Sequence, residues 1–161
     1  MSNIWKPSVT VAAIVERERR FLLVEEMTSD GIRINQPAGH LDPGESLVAG
    51  CARETLEETA HPFVPKALLG VYMFRHLRNG AARDDVTYVR FAFVGELGER
   101  IAGRALDDGI LRVLWLTPEE LCARSNEHRS PLVMKCVDDY LRGQRYPLDM
   151  LYTHPTVTTE R

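Results

Sequence analysis

The sequence predicts an α/β fold, an α/β/α sandwich in which a mixed β-sheet is flanked by helices. Three observations point there. Runs rich in β-branched and aromatic residues recur at Ser8–Val15 and Val86–Val94. Two segments carry apolar residues at three-to-four spacing behind helix starts at Ser46 and at Ser130-Pro131. The order strands, helix, strands, helix, helix suits a sheet covered on both faces. The 161 residues suit one domain over 1–150 with a tail at 151–161, long enough to bury a core without staples.

Ser8–Val15 reads Ser-Val-Thr-Val-Ala-Ala-Ile-Val and is expected to be a strand. The cluster Glu16-Arg17-Glu18-Arg19-Arg20 turns the chain into a second strand, Phe21–Glu25, so an antiparallel hairpin is the economical reading. Met27–Arg33, with its Thr-Ser-Asp-Gly, reads as a loop. Gln36–Glu45 contains Pro37, Gly39, Pro43 and Gly44, which argues against regular structure. Ser46 is placed to cap a helix over Leu47–Thr59, with a buried stripe expected at Val48, Ala52, Thr55 and Thr59. Pro62 stops it. Ala67–His76 and Val86–Val94 are strands joined through Asn79-Gly80 and Arg83-Asp84-Asp85, and Ile110–Leu116 is another. Thr117-Pro118-Glu119-Glu120 combines a Thr cap, an early Pro and a Glu three residues after the cap. The last helix carries Leu132, Val133, Cys136, Val137, Tyr140 and Leu141 on its apolar face and stops at Gly143.

Composition removes several classes of function. Lys and Arg number 20 against 23 Asp and Glu, a net charge of −3. Duplex nucleic acid is bound with an excess of cations, so no nucleic-acid partner is expected. No run approaches the ~20 apolar residues of a membrane span, and the N-terminus lacks a signal-peptide apolar core, so no membrane partner is expected. Three widely spaced cysteines without a Cys-x-x-Cys pair indicate neither a zinc site nor a disulfide framework and fit the cytoplasm.

The chemistry concentrates in Gly39–Thr59. On a helix, Glu54, Glu57 and Glu58 fall at i, i+3 and i+4, so three carboxylates project from one face. Like charges at that spacing repel by roughly 0.2–0.5 kcal/mol per pair, and a hard divalent cation that takes oxygen ligands offsets this. Carbonyls of the glycine-containing loop are further oxygen donors. Glu45 lies just before the helix start, where the dipole favours a carboxylate. Arg53 is placed to pair with Glu45 or with an anionic substrate. Carboxylates, a divalent cation and arginines together suit phosphoryl chemistry. Taken alone, Glu-x-x-Glu-Glu on a surface helix is an ordinary solvated face. The 23-residue pattern from Gly39 to His61 changes that reading.

Gly39, five residues, Glu45, seven residues, Arg53-Glu54, two residues, Glu57-Glu58 is the Nudix box, and the chain resembles the Nudix hydrolases. Three positions depart from the family pattern: Thr55 where an apolar residue is usual, and Ala60 and His61 where Gly and an apolar residue are usual. A left-handed cap at Ala60 would cost roughly 1–2 kcal/mol. All three positions are structural. Pro7–Val15, Gln36–Leu41, Arg129–Val133 and Gly143–Leu148 are similar to the NudJ-type phosphatases of this superfamily, a likeness that runs to about Met150.

The resemblance implies a phosphohydrolase that requires Mg²⁺, with Mn²⁺ as a possible substitute, and acts on small-molecule phosphoanhydrides. Nucleoside di- and triphosphates and thiamine or hydroxymethylpyrimidine pyrophosphates would yield a monophosphate and inorganic phosphate. It implies Glu54, Glu57 and Glu58 as metal ligands, with Glu54 or Glu57 as general base and a metal contact from the Gly39 carbonyl. Arg53, counted with the catalytic set, braces the carboxylates, and Glu45 is an organiser of the box. Nudix enzymes often add an acid from outside the box. Asp107 or Asp108 lies in that stretch, although Asp107-Asp108-Gly109 also reads as an ordinary turn.

Other candidates carry weaker signals. Arg90, among apolar strand residues, needs a phosphate or an ion-pair partner. His40 is a candidate substrate contact, although a lone loop His also reads as merely exposed; Arg129 and Arg145 read as substrate contacts or, at least equally, as helix-end pairs. Tyr88, Phe91 and Phe93 read mostly as core, with stacking on a base or pyrimidine ring left open. Two competing functions remain. A pyrophosphatase of nucleoside-diphosphate conjugates or dinucleoside polyphosphates would give two nucleotide products. A non-catalytic nucleotide-binding module would have lost box acids, and none is missing. Monomer and homodimer are both compatible with the sequence.

Overall fold

Strand β1 (Ser8–Ile14) is apolar without alternation because both of its faces are buried. Val11 and Ala13 turn to one core, shared with Phe93, Phe63 and Cys51. Ala12 and Ile14 turn to another, shared with Ala92, Val133 and Val137. A computed structural model describes residues 4–77 and 85–159. After β1 come β2 (Glu16–Arg17), β3 (Arg20–Thr28), β4 (Gly31–Asn35), β5 (Ala38–His40), α1 (Leu47–Thr59), β6 (Phe63–His76) and β7 (Val86–Leu97). The chain continues through β8 (Ile110–Leu116), α2 (Pro118–Ala123), α3 (Leu132–Leu141) and the short α4 (Pro155–Thr158).

The mixed sheet has the order β5-β1-β7-β6, with β1 and β7 parallel and the outer pairs antiparallel. Cys51, Leu47 and Val48 of α1 pack on one face, and Val133, Cys136 and Val137 of α3 on the other. That is the expected sandwich. A second, antiparallel sheet is built around β3, which pairs with β2, β4 and β8. Leu148 and Leu151 pack on the α1 side, so the start of the tail touches the core.

Several sequence expectations change. The hairpin joins β3 to the two-residue β2, not to β1. Its turn residues Glu18 and Arg19 both have positive φ (49° and 63°), as the tightest hairpin turn demands, while β1 pairs with β5 and β7 in the other sheet. Met27–Arg33 is not a loop: β3 runs on to Thr28, and β4 returns with Met27 opposite Ile32. Ala38–His40 forms an edge strand despite Pro37. Pro37 ends the ladder: its carbonyl accepts from Ala13 N–H at 3.0 Å, but it has no N–H to return to β1, so the strand begins at Ala38. In α1, Thr55 and Thr59 are buried with their hydroxyls donating to Cys51 O (2.8 Å) and Thr55 O (2.6 Å). Val48 and Ala52 are only half-buried, and Cys51 takes the central position. Leu141 is 56% exposed and does not join the apolar face of α3.

Other boundaries hold. Ser46 Oγ accepts from Ala49 N–H, and Thr117 and Glu120 form a reciprocal cap. Ala60 takes the left-handed cap (φ 60°, ψ 17°), with its N–H on Leu56 O. His61 fills its apolar position with a partner for its ring, Gly98 O at 2.9 Å from Nδ1. Gly143 ends α3 at φ +79°. Strand β6 begins earlier than expected, at Phe63, and the expected loop residues Asn79, Gly80, Arg83 and Asp84 lie outside the described residues. All three cysteines are free. Among the described residues no helix is long and apolar enough to cross a membrane.

Candidate active site

Every N–H of the Arg53 guanidinium is engaged. Nε and Nη2 grip both oxygens of Glu45 (2.9 and 2.7 Å), Nη1 donates to Glu54 Oε1 (2.8 Å) and Glu57 Oε2 (3.0 Å), and Nη2 also donates to His40 O (3.0 Å). The helix makes this arrangement local. Glu57 is one turn after Arg53, and Glu45 lies just before the helix, where its Oε1 also accepts from Asp42 N–H (2.7 Å). The Arg53 contact holds Glu45 below the usual carboxylate range. Arg53 thus ties the loop, the helix start and two acids into one unit.

The box faces a cavity of about 350 Å³ that opens between the two sheets. Glu54 and Glu58 line it although they are only 9% and 6% exposed. Gly39 is required beside them, since a Cβ there would lie 2.2 Å from the Glu54 carboxyl carbon. Glu58 Oε2 accepts from Ala38 N–H at 2.9 Å, the outward-facing donor of edge strand β5. Burial pushes both carboxyls up. Glu58 rises to about 9, with the charges of Glu26, Glu54 and Asp107 adding to the effect. Among the described residues no three His, Cys, Asp or Glu side chains converge closely enough to hold one ion. The reason is visible in the bonding: Glu54 and Glu57 are drawn to Arg53, and Glu58 to the β5 backbone.

The remaining candidates separate clearly. Asp107 lines the cavity and its N–H donates to Glu57 O (2.9 Å), whereas Asp108 does not line the cavity and opens the turn with Gly109 (φ +88°). Glu57 does not line it either. His40, Arg90 and Arg129 all do. Arg90 is 6% exposed and makes no ion pair with a carboxylate among the described residues; it donates to Gln36 Oε1 (2.9 Å) and Asn35 Oδ1 (3.0 Å). Arg145 lies elsewhere, 4.2 Å over the Tyr140 ring. Phe93 is core and Phe91 packs against it, but Tyr88 lines the cavity.

Sequence reasoning missed Glu26, Asn35 and Gln36. Glu26 lines the cavity, and burial pushes its carboxyl up against the pull of Arg129, whose Nε lies 3.8 Å away. A signal existed: period-two alternation puts Glu26 on the same side of β3 as buried Leu22 and Val24. Gln36 is buried, with its amide nitrogen donating to Val133 O at 2.8 Å.

A NUDIX domain model matches residues 6–136. The chain belongs to the Nudix hydrolase family. Phosphatase NudJ of Escherichia coli strain K12 is 38% identical to this Nudix hydrolase over 148 residues, 92% of either chain. A NUDIX hydrolase from Nitrosomonas europaea of known structure shares 47% identity at a TM-score of 0.85, over 92% of this chain and 98% of that one. A MutT NUDIX hydrolase from Burkholderia pseudomallei shares the fold at a TM-score of 0.67 and 19% identity, over 84% of this chain and 98% of its own. This Nudix hydrolase is an enzyme that acts on phosphoanhydrides.

Proposed function

We propose that the chain is a Mg²⁺-dependent phosphatase that removes the terminal phosphate of nucleoside di- and triphosphates and of thiamine and hydroxymethylpyrimidine pyrophosphates. The observation that carries this reading is the meeting of buried Glu54 and Glu58 with Arg90 and Arg129 in one cavity. Its volume, near 350 Å³, is at the lower end of small-molecule sites. The identity to Phosphatase NudJ over 92% of the chain supports a phosphatase.

The acidic end fits a hard divalent cation, Mg²⁺ or Mn²⁺, on its donor chemistry: the carboxylates of Glu54, Glu57, Glu58 and Asp107 and the Gly39 carbonyl are all oxygen ligands. Buried carboxylates that raise one another's proton affinity need either protons or a cation between them. When bound, the ion neutralises the diphosphate and acidifies water. Glu54, on the cavity wall, is better placed than Glu57 to take the proton of the attacking water. Arg90 and Arg129 hold phosphate oxygens, His40 contacts substrate at the mouth, and Arg53 keeps the acids aimed. Water attacks the terminal phosphorus, the bridging P–O bond breaks, and inorganic phosphate leaves with a monophosphate from a diphosphate, or with a diphosphate from a triphosphate that a second round takes to the monophosphate.

The test is release of inorganic phosphate from thiamine pyrophosphate and cytidine diphosphate with Mg²⁺, with Mn²⁺ and with chelator, in the wild type and in Glu58→Gln. Cation-dependent release that falls ~10²-fold or more in the variant is expected. Chelator-insensitive release, or two nucleotide products from a dinucleoside polyphosphate in preference to phosphate from these diphosphates, overturns the reading.

A further inference from the structure

The cavity changes character away from the box. Phe74 of β6 and Tyr88 of β7 are direct partners in the ladder, and both line the cavity without being buried. The Tyr88 ring lies 6.1 Å from the His40 ring and the Phe74 ring 6.4 Å from the His76 ring, so two pairs of aromatic side chains line this wall. His76 Nε2 stands 3.5 Å from Asp30 of the β3–β4 turn, where the second sheet meets β6. The neighbouring core buries its own aromatics, Phe21 and Phe93, almost completely. Rings left open on a cavity wall present π faces to whatever enters it.

Position relates this wall to the chemistry. Across the mixed sheet the order β5-β1-β7-β6 leads from Gly39 and His40, past Thr10, to Arg90 and Tyr88, and then to Phe74 and His76. Three strand spacings separate the ends, roughly 14 Å. That is room for a diphosphate, a short linker and one ring system. Arg90 and Tyr88 are two residues apart on one strand, so a guanidinium and a ring face stand side by side on the same surface.

We propose that Tyr88, opposite Phe74 in the ladder, is a specificity-determining residue that stacks the planar heteroaromatic ring of the substrate, so that ring-bearing diphosphates are preferred over alkyl diphosphates. The inference rests on the phosphatase reading above and names the part of the substrate that the reading leaves open. Pyrimidine-type rings suit the wall because stacking on an aromatic side chain tolerates different ring substituents.

The experiment compares kcat/KM for thiamine pyrophosphate with that for a short alkyl diphosphate of similar charge, in the wild type, Tyr88→Ala, Tyr88→Leu and Tyr88→Phe. Stacking on an aromatic side chain is lost roughly 5- to 150-fold on alanine substitution. The thiamine-to-alkyl ratio should therefore fall by that factor in Tyr88→Ala and Tyr88→Leu, through KM more than kcat. Tyr88→Phe should retain it. Tyr88→Leu keeps apolar volume without a π face and covers the case in which alanine disturbs folding. Equal losses on both substrates, or an unmoved ratio, overturn the stacking role. A wild type that releases phosphate from neither substrate overturns the phosphatase reading instead. In that event calorimetric titration with thiamine monophosphate decides the subsite, and equal affinity in the wild type and Tyr88→Leu rejects it.

Discussion

Arg53→Lys separates a brace from a mere surface charge. The guanidinium places five N–H donors on Glu45, Glu54, Glu57 and the His40 carbonyl. A lysine ammonium has three donors on a single nitrogen and cannot reproduce the two-pronged grip on Glu45. At least two of the five bonds must go. Hydrogen bonds to charged groups contribute about 1.5–3 kcal/mol each when desolvated, but the Arg53 side chain keeps 26% exposure, so water recovers part of each. A loss of about 2 kcal/mol in total follows, and for a chain of this length that is a fall in Tm of roughly 4–8 °C. The effect on turnover should be larger. An acid misplaced by about 1 Å costs ~10²-fold in rate, and Glu54 is the acid released. The assay is kcat and KM at a temperature well below the variant's Tm, with Tm measured by circular dichroism. A protein that loses the expected stability but keeps kcat would show that Arg53 holds the fold together without aiming the acids.

Two further outcomes follow from the same geometry. Gly39→Ala puts a methyl where the Glu54 carboxyl now sits, 2.2 Å from its carbon. The displaced group is the far end of a flexible side chain, so Tm should move little while kcat/KM falls ~10²-fold or more; unimpaired turnover would refute the contact. Glu58 supplies the pH dependence. Its carboxyl is pushed from 4.5 to about 9 by burial and neighbouring acids, so the native state holds that proton more tightly than the unfolded chain does. The stability this confers is complete below pH 4.5 and is lost as pH rises through 9. Metal-free protein should therefore lose Tm across that window, Glu58→Gln should lose less, and added Mg²⁺ should restore the wild type at the alkaline end. A wild-type Tm that is flat across the window refutes the assignment.

How much of the fold was legible depended on where each element's partner lay. Helix α1 and strand β8 match their expected spans because their signals are local: a serine cap before Leu47, a proline after His61, and an apolar run at Ile110–Leu116. The hairpin at Glu18-Arg19 was legible as a turn but not in its pairing. Nothing near β1 says that its ladder partners are Tyr88–Val94 and Ala38–His40, and adjacency in sequence favoured β3 by default. Strand β5 was hidden because Pro37-Ala38-Gly39-His40 has the composition of a loop, and β4 because the turn residues Thr28-Ser29-Asp30-Gly31 masked the alternation of Ile32 and Ile34. Their extended form comes from neighbours already in place, Val24–Thr28 for one and Thr10–Ala12 for the other.

The site divides along the same line. Arg53 meets Glu54, Glu57 and Glu45 at separations of one, four and eight residues; helix geometry dictates the four-residue pair, and the long guanidinium reaches its chain neighbour Glu54 and Glu45 in the loop just before the helix. Reading the box from sequence therefore amounts to reading a helix and the short loop that leads into it. Arg90 meets Gln36 and Asn35 across 54 and 55 residues. Its sequence context announced only that a charge among apolar neighbours had to find a partner. The ion-pair and phosphate readings were equally open because both satisfy that demand. The fold meets the demand with two neutral amide oxygens and leaves the positive charge facing a cavity that Glu54 and Glu58 also line. A structural ion pair would have neutralised Arg90 with a carboxylate. Amide partners fix the guanidinium without a direct ion pair, in keeping with the phosphate contact proposed above.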